Sequence, residues 1–224
     1  MSAHRTRTNA GMAPPFVHDR PPLPRTLTRR TLMAAGLAAA LGALAGCSKE
    51  DELEDMRGMD LSDSELGRDF SLQGTDGRAH TLADFKGKAV LVFFGFTQCP
   101  DVCPTALARA AEVKRRLGEK GHRLQVLFIT VDPERDTPEV LRAYVQAFDP
   151  GFIGLYGSAA QLEQTAREFK AYYKKVPTGS SYTMDHTALS YVYDAQGRLR
   201  VALRHGQSID DFAGDIGRII DLPA

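Results

Sequence analysis

Ala89-Val-Leu-Val-Phe-Phe-Gly-Phe-Thr-Gln-Cys-Pro-Asp-Val-Cys-Pro-Thr105 passes from an unbroken apolar run straight into two cysteines set four positions apart. The run Ala89 to Phe96 is short, β-branched and aromatic, the pattern of a strand buried on both faces of a sheet. Leu124-Gln-Val-Leu-Phe-Ile-Thr-Val131 is a second run of the same kind. Between them, Thr105 to Leu117 carries Leu107, Ala110 or Ala111, Val113 and Leu117 at helical spacing and ends at Gly118. Strand, helix, strand predicts a parallel pair joined by a right-handed crossover.

Outward from this unit, Phe70-Ser-Leu-Gln, the turn residues Gly74-Thr-Asp-Gly77 and Arg78-Ala-His-Thr-Leu82 predict an N-terminal β-hairpin. Pro138 to Phe148 predicts a helix with Thr137 as N-cap and proline at the first position, where its missing N–H does no harm. A third helix is expected over Ala159 to Lys175, its stripe Leu162, Ala166, Phe169, Tyr173 and Val176 facing the core rather than a cofactor. A late β-hairpin follows: Ala188-Leu-Ser-Tyr-Val-Tyr193, the turn Asp194-Ala-Gln-Gly197, and Arg198-Leu-Arg-Val-Ala-Leu203. Ser208 to Ile220 predicts a closing helix. The fold class is α/β, a central mixed β-sheet flanked by helices, with the folded unit over residues 68–224.

The whole chain has 224 residues, 28 Lys and Arg against 28 Asp and Glu, and 43% hydrophobic residues, the composition of a globular protein. A formal charge of zero speaks against a nucleic-acid partner, because such proteins carry a net basic surface to replace phosphate counterions. The balance hides an asymmetry: residues 1–46 hold six Arg and one Asp, and everything after them is net acidic. That basic head precedes the sixteen uncharged residues Thr31 to Gly46, so residues 1–46 read as an export signal. As a helix those residues reach about 24 Å, short of a hydrocarbon core of about 30 Å. Leu44-Ala-Gly-Cys47 resembles the lipobox of bacterial lipoproteins, which implies lipidation of Cys47 and attachment to a membrane through that anchor. Arg29-Arg30 resembles a twin-arginine motif, although paired Arg serve any basic head. Residues 47–67 are acidic and polar, too poor in apolar side chains to offset ordering entropy, and are expected to be a flexible tether. Twenty such residues, Ser48 to Gly67, would span about 25 Å r.m.s..

The chemistry falls at the carboxyl end of the first buried strand, where α/β sheets place their sites. Cys99 and Cys103 sit at the mouth of a helix, whose N-terminus favours negative charge and so thiolate character. With Cys47 set aside they are the only cysteines, and in an oxidising compartment they should form a disulfide with each other or a metal site. A purely structural bridge would add little, because it closes so short a loop.

Gly95-Phe-Thr-x-Cys-Pro-Asp-Val-Cys-Pro-Thr105, then Val131-Asp-Pro-Glu-Arg-Asp-Thr-Pro138, then Tyr182-Thr-Met-Asp-His186 resemble the Sco/SenC copper proteins, in that order and over about residues 69–212. The resemblance implies a thioredoxin-like fold outside the cytoplasm, in the bacterial cell envelope facing the periplasm. It further implies one copper, Cu(I) or Cu(II), held by Cys99, Cys103 and His186, and delivery of copper to, or thiol reduction of, the copper-site subunit of cytochrome c oxidase. A thiol reductant of the periplasm or another copper carrier would be a further partner. The donor chemistry agrees, since two thiolates and an imidazole make a soft site of low coordination suited to copper, and structural zinc usually needs a fourth protein ligand.

Asp132, which ends the second buried strand, is the acidic residue expected nearest the site, orienting a ligand or tuning a thiol, or else capping the turn at Pro133. Arg135 and Asp136 are expected to pair with each other or cap the next helix. His80, His122 and His205 are expected at the surface, and His4 and His18 to leave with the signal. The alternative function is a membrane-tethered thiol–disulfide oxidoreductase in which Cys99 and Cys103 are the catalytic pair, forming a disulfide with each turnover. Against it as the sole activity stand the Cys-x3-Cys spacing and the absence of proline between Ser181 and Ala188, where thioredoxins place one. A peroxidase reading fails on Pro100, which occupies the position where peroxiredoxins carry threonine.

Overall fold

The computed structural model describes residues 55–223. The signal over residues 1–46 and the lipidation of Cys47 lie outside the described residues. Ten strands occur among the described residues, in chain order: β1 Met59–Asp60, β2 Leu72–Gly74, β3 Ala79–His80, β4 Ala89–Gly95, β5 Leu124–Thr130, β6 Ile153–Tyr156, β7 Tyr173–Thr178, β8 Ser181–His186, β9 Leu189–Tyr193 and β10 Leu199–Arg204. The helices are α1 Val102–Arg116, α2 Pro138–Gln146, α3 Ala159–Glu168 and α4 Ile209–Asp221. No helix among the described residues is long and apolar enough to cross a membrane.

Eight strands form one mixed sheet in the order β1-β10-β9-β4-β5-β6-β2-β3. Its centre is parallel: β4 pairs with β5 from Ala89 opposite Leu124 to Gly95 opposite Thr130, and β5 continues into β6. Every residue of β4 and β5 is buried, which is why each reads as a continuous apolar run rather than an alternating one. β9 runs antiparallel on the other side of β4, so the parallel centre meets an antiparallel flank at the strand that carries the cysteine loop. With helices on this sheet the architecture is thioredoxin-like. α2 and α4 begin as their caps require: Thr137 Oγ1 accepts from the Val140 N–H, and Ser208 Oγ accepts from the Asp211 N–H.

Three expectations change. The third helix stops at Glu168, because Lys170 turns into the left-handed region at φ 47° and the Ala171 N–H closes onto the Ala166 carbonyl. Tyr173 and Val176, which fit the helical stripe, instead belong to β7, and β7 pairs with β8 in a separate two-stranded sheet. β6 was not anticipated, because Gly154 interrupts it. A Cβ there would lie 2.5 Å from Leu141 Cγ, so glycine marks the close approach of α2.

The folded unit also begins earlier than residue 68. β1 pairs with β10, and the buried Asp215 carboxylate accepts from the backbone N–H groups of Arg57 and Gly58 at 2.8–3.0 Å. Tyr193 Oη donates to the Gly67 carbonyl at 2.6 Å. This stretch is held by its backbone groups, which its polar composition conceals. Residues 57–67, expected as part of a tether, thus belong to the folded unit.

Candidate metal centre

β4 delivers the chain to Gly95, where a Cβ would sit 2.8 Å from Cys103 Sγ and 2.7 Å from the Phe128 ring. Only glycine lets the thiol lie this close to the strand. The loop then turns through Thr97 to Asp101, and α1 starts at Val102, which puts Cys103 in its first turn. Cys103 is fully buried and Cys99 partly so, and both are free thiols. The Cys103 N–H donates to Cys99 Sγ at 3.4 Å.

These contacts divide the pair. A hydrogen bond from the Cys103 side chain, with backbone N–H groups of Asp101 and Cys103 behind it, holds the Cys99 pKa down to about 5. Cys103 moves the other way: its bond to Cys99 favours its protonated form, and burial adds to that, so its pKa is raised. Half-buried Cys99 is thus the thiol biased toward thiolate, and buried Cys103 the one biased toward its protonated form.

His186, 83 residues beyond Cys103, arrives at the end of β8 with Nε2 at 3.5 Å from Cys103 Sγ. Its Nδ1 lies 3.2 Å from the Met184 carbonyl. A carbonyl can only accept, so Nδ1 carries the proton and the Nε2 lone pair faces the thiol, the tautomer a metal-binding imidazole needs. The ring meets Phe96 and Phe93 edge-on, at centroid distances of 5.6 and 6.3 Å. The site is therefore two sulfurs and one imidazole nitrogen on an apolar floor, a donor set that fits a soft copper ion. Among the described residues no three such groups stand at full metal-holding spacing, so a bound ion would close only the last gap between donors that the fold already brings together.

Two buried carboxylates flank the site, one on each side. Asp132 does not touch the thiols. Its Oδ1 accepts from Tyr182 Oη at 2.9 Å and its Oδ2 pairs with Arg135 Nε, so it braces the hairpin that carries His186. The acidic residue that holds the cysteine loop is Asp136, which is buried and accepts from the Thr97 hydroxyl and the Thr130 hydroxyl, each at 2.6 Å, and from the Thr97 N–H. Burial raises its pKa. Arg135 and Asp136 thus point apart, one to each side of the site, instead of pairing. Neighbouring positions in the Val131 to Pro138 motif give no sign of that division. His80 is buried rather than at the surface, its Nε2 on Asp76 at 2.9 Å and its ring 5.2 Å from Phe85. His122 is exposed and His205 half-buried.

Residues 59–221 match the family model described as SCO1/SenC. The chain belongs to the SCO1/SenC family. It is 38% identical over 203 residues to the mitochondrial SCO2 homologue of Bos taurus, covering 88% of this chain and 76% of that one. Among solved structures it resembles Bradyrhizobium japonicum ScoI with copper bound at 42% identity and a TM-score of 0.63, over 68% of this chain and 98% of that one. Yeast Sco1 with copper bound matches at 32% identity and a TM-score of 0.62, over 68% and 86% of the two chains.

Proposed function

We propose that this protein captures one copper ion with Cys99, Cys103 and His186 and passes it by ligand exchange to the copper-site subunit of cytochrome c oxidase while that enzyme is assembled. The observation that carries the reading is the meeting of His186 Nε2 with the Cys103 thiol at 3.5 Å, with Nδ1 already committed to a carbonyl. The same metal bound in the related ScoI and Sco1 structures supports it. Residues 1–46 would direct the chain out of the cytoplasm into the bacterial cell envelope, and lipidation of Cys47 would hold it at a membrane near its target. The expected result is one copper per reduced chain, with Cu(II) affinity falling at least tenfold in His186→Ala. Copper bound equally well by that variant would overturn the reading.

The division between the thiols favours a second activity, thiol–disulfide exchange, at the same site. The Cys99 thiolate attacks a partner disulfide, one partner sulfur leaves as thiolate, and Cys103 then displaces the second while forming the Cys99–Cys103 disulfide. Two electrons reach the partner, whose two sulfurs take up the Cys103 proton and one from solvent, and a thiol reductant must restore the pair. The two activities share a logic, because oxidised cysteines in the acceptor must be reduced before metal can enter. Exchange needs no imidazole, so His186→Ala separates them: it should impair copper binding and leave exchange intact.

A further inference from the structure

Two strands alone are at best marginal in water, and a hairpin that holds a fixed position needs a packed face or an external brace. β7 and β8 pair only with each other, no residue of β7 is buried, and on β8 only Met184 is. Yet this hairpin presents His186 to a thiol on the main sheet, at 3.5 Å.

Arg135 spans the gap. Its backbone is fixed in the turn after β5, where its N–H donates to the Asp132 carbonyl at 3.2 Å. Its Nη1 donates in two directions, to Gln98 Oε1 at 3.0 Å beside Cys99 and to the Tyr182 carbonyl at 2.9 Å on β8. Its Nε pairs with Asp132, and the guanidinium lies 3.7 Å above the Tyr182 ring, with Lys175 Nζ 4.1 Å from that ring's centre. Tyr182 Oη closes the circuit on Asp132 at 2.9 Å. One planar cation therefore holds the cysteine loop and the histidine strand together, using several of its donors and its stacking face. Lysine, a point charge on a flexible stem, cannot make that set of contacts.

We propose that Arg135 is the positioning residue for His186: it clamps the β7–β8 hairpin to the cysteine loop, so that the imidazole donor is in place before copper arrives. This rests on the copper reading for its purpose, though the clamp itself exists without metal. Donors held in advance spare the ion the entropy of ordering them. The loss should fall on Cu(II), which depends on the imidazole, more than on Cu(I), which the two thiolates can hold.

The test uses the full chain in detergent, reduced and copper-free, as wild type, Arg135→Lys and Tyr182→Leu. Amide hydrogen exchange over Ser181–His186 should quicken at least tenfold in Arg135→Lys and at least threefold in Tyr182→Leu, while β4 and β5 keep their protection and so report an intact fold. Cu(II) affinity should then fall at least tenfold in Arg135→Lys, with Cu(I) affinity changed less than threefold. Unchanged exchange over the hairpin in both variants would overturn the proposal, as would equal losses of Cu(I) and Cu(II) affinity. Should wild type and His186→Ala hold Cu(II) equally, the copper reading fails alone, and the exchange on copper-free protein still judges the clamp.

Discussion

The cysteine half and the histidine half of the site rest on different physics. Cys103 stands in the first turn of α1 and packs against Gly95 of β4, on a sheet whose central strands are buried throughout, with Phe93 and Phe128 at 6.1 Å between ring centres. His186 stands on a two-stranded hairpin with few buried side chains, fastened by an arginine, a tyrosine and the Asp132 carboxylate. Close packing makes the first half insensitive to solvent and intolerant of volume change. The second depends on directional polar contacts that can open singly. A site that must accept a metal and give it up gains from dividing its donors, two thiols on one kind of support and one imidazole on the other.

That contrast can be broken first in the core. Phe128→Ala, at a fully buried position, should cost about 3–5 kcal/mol of stability in urea unfolding. A loss below about 1 kcal/mol would deny that this sheet is the rigid half. Gly95→Ala places a methyl against Cys103 Sγ and Phe128 and should cost about 1–3 kcal/mol, together with weaker copper binding, read by melting and by metal titration. Unaltered melting and binding would mean that the thiol has room to move.

The thiols offer a finer test. Because the Cys99 pKa is depressed to about 5, its thiolate persists above that pH and is lost as pH falls through it. Its alkylation in the reduced, copper-free protein should be level from pH 8 to 6, fall about tenfold between pH 6 and 4, and leave Cys103 unmodified. A midpoint near 8.5, the value of a free thiol, would remove the asymmetry. In the hairpin, Val176→Ala should cost about 1 kcal/mol or less in the same unfolding assay. A loss as large as that of Phe128→Ala would erase the distinction between the halves.

The same difference decided what could be read from the sequence. β4 and β5 were legible because burial on both faces leaves no polar interruption, and α2 and α4 because Thr137 and Ser208 cap them. The cysteine pair needed only its place after a buried strand. β7 was hidden because Tyr173 and Val176 continue the spacing of α3 by coincidence, and only the left-handed turn at Lys170 separates the two elements. His186 was reachable through the family motif alone, since 83 residues separate it from Cys103 and nothing local marks a ligand. Asp132 is expected near the site to orient a ligand, tune a thiol or cap the turn, and its contact is with the hairpin that carries His186, while Asp136, four residues on, holds the cysteine loop. Which of two carboxylates faces which side of a turn is set by tertiary packing, beyond the reach of spacing.

The central claim is that these two halves close on one copper ion. X-ray absorption at the copper edge of the loaded, reduced protein would test it most directly, comparing wild type with His186→Ala. Two sulfur donors and one imidazole nitrogen in wild type, with the imidazole signature lost in the variant, is the predicted result. An imidazole signature that survives in His186→Ala, or a metal bound without both sulfurs, would contradict it.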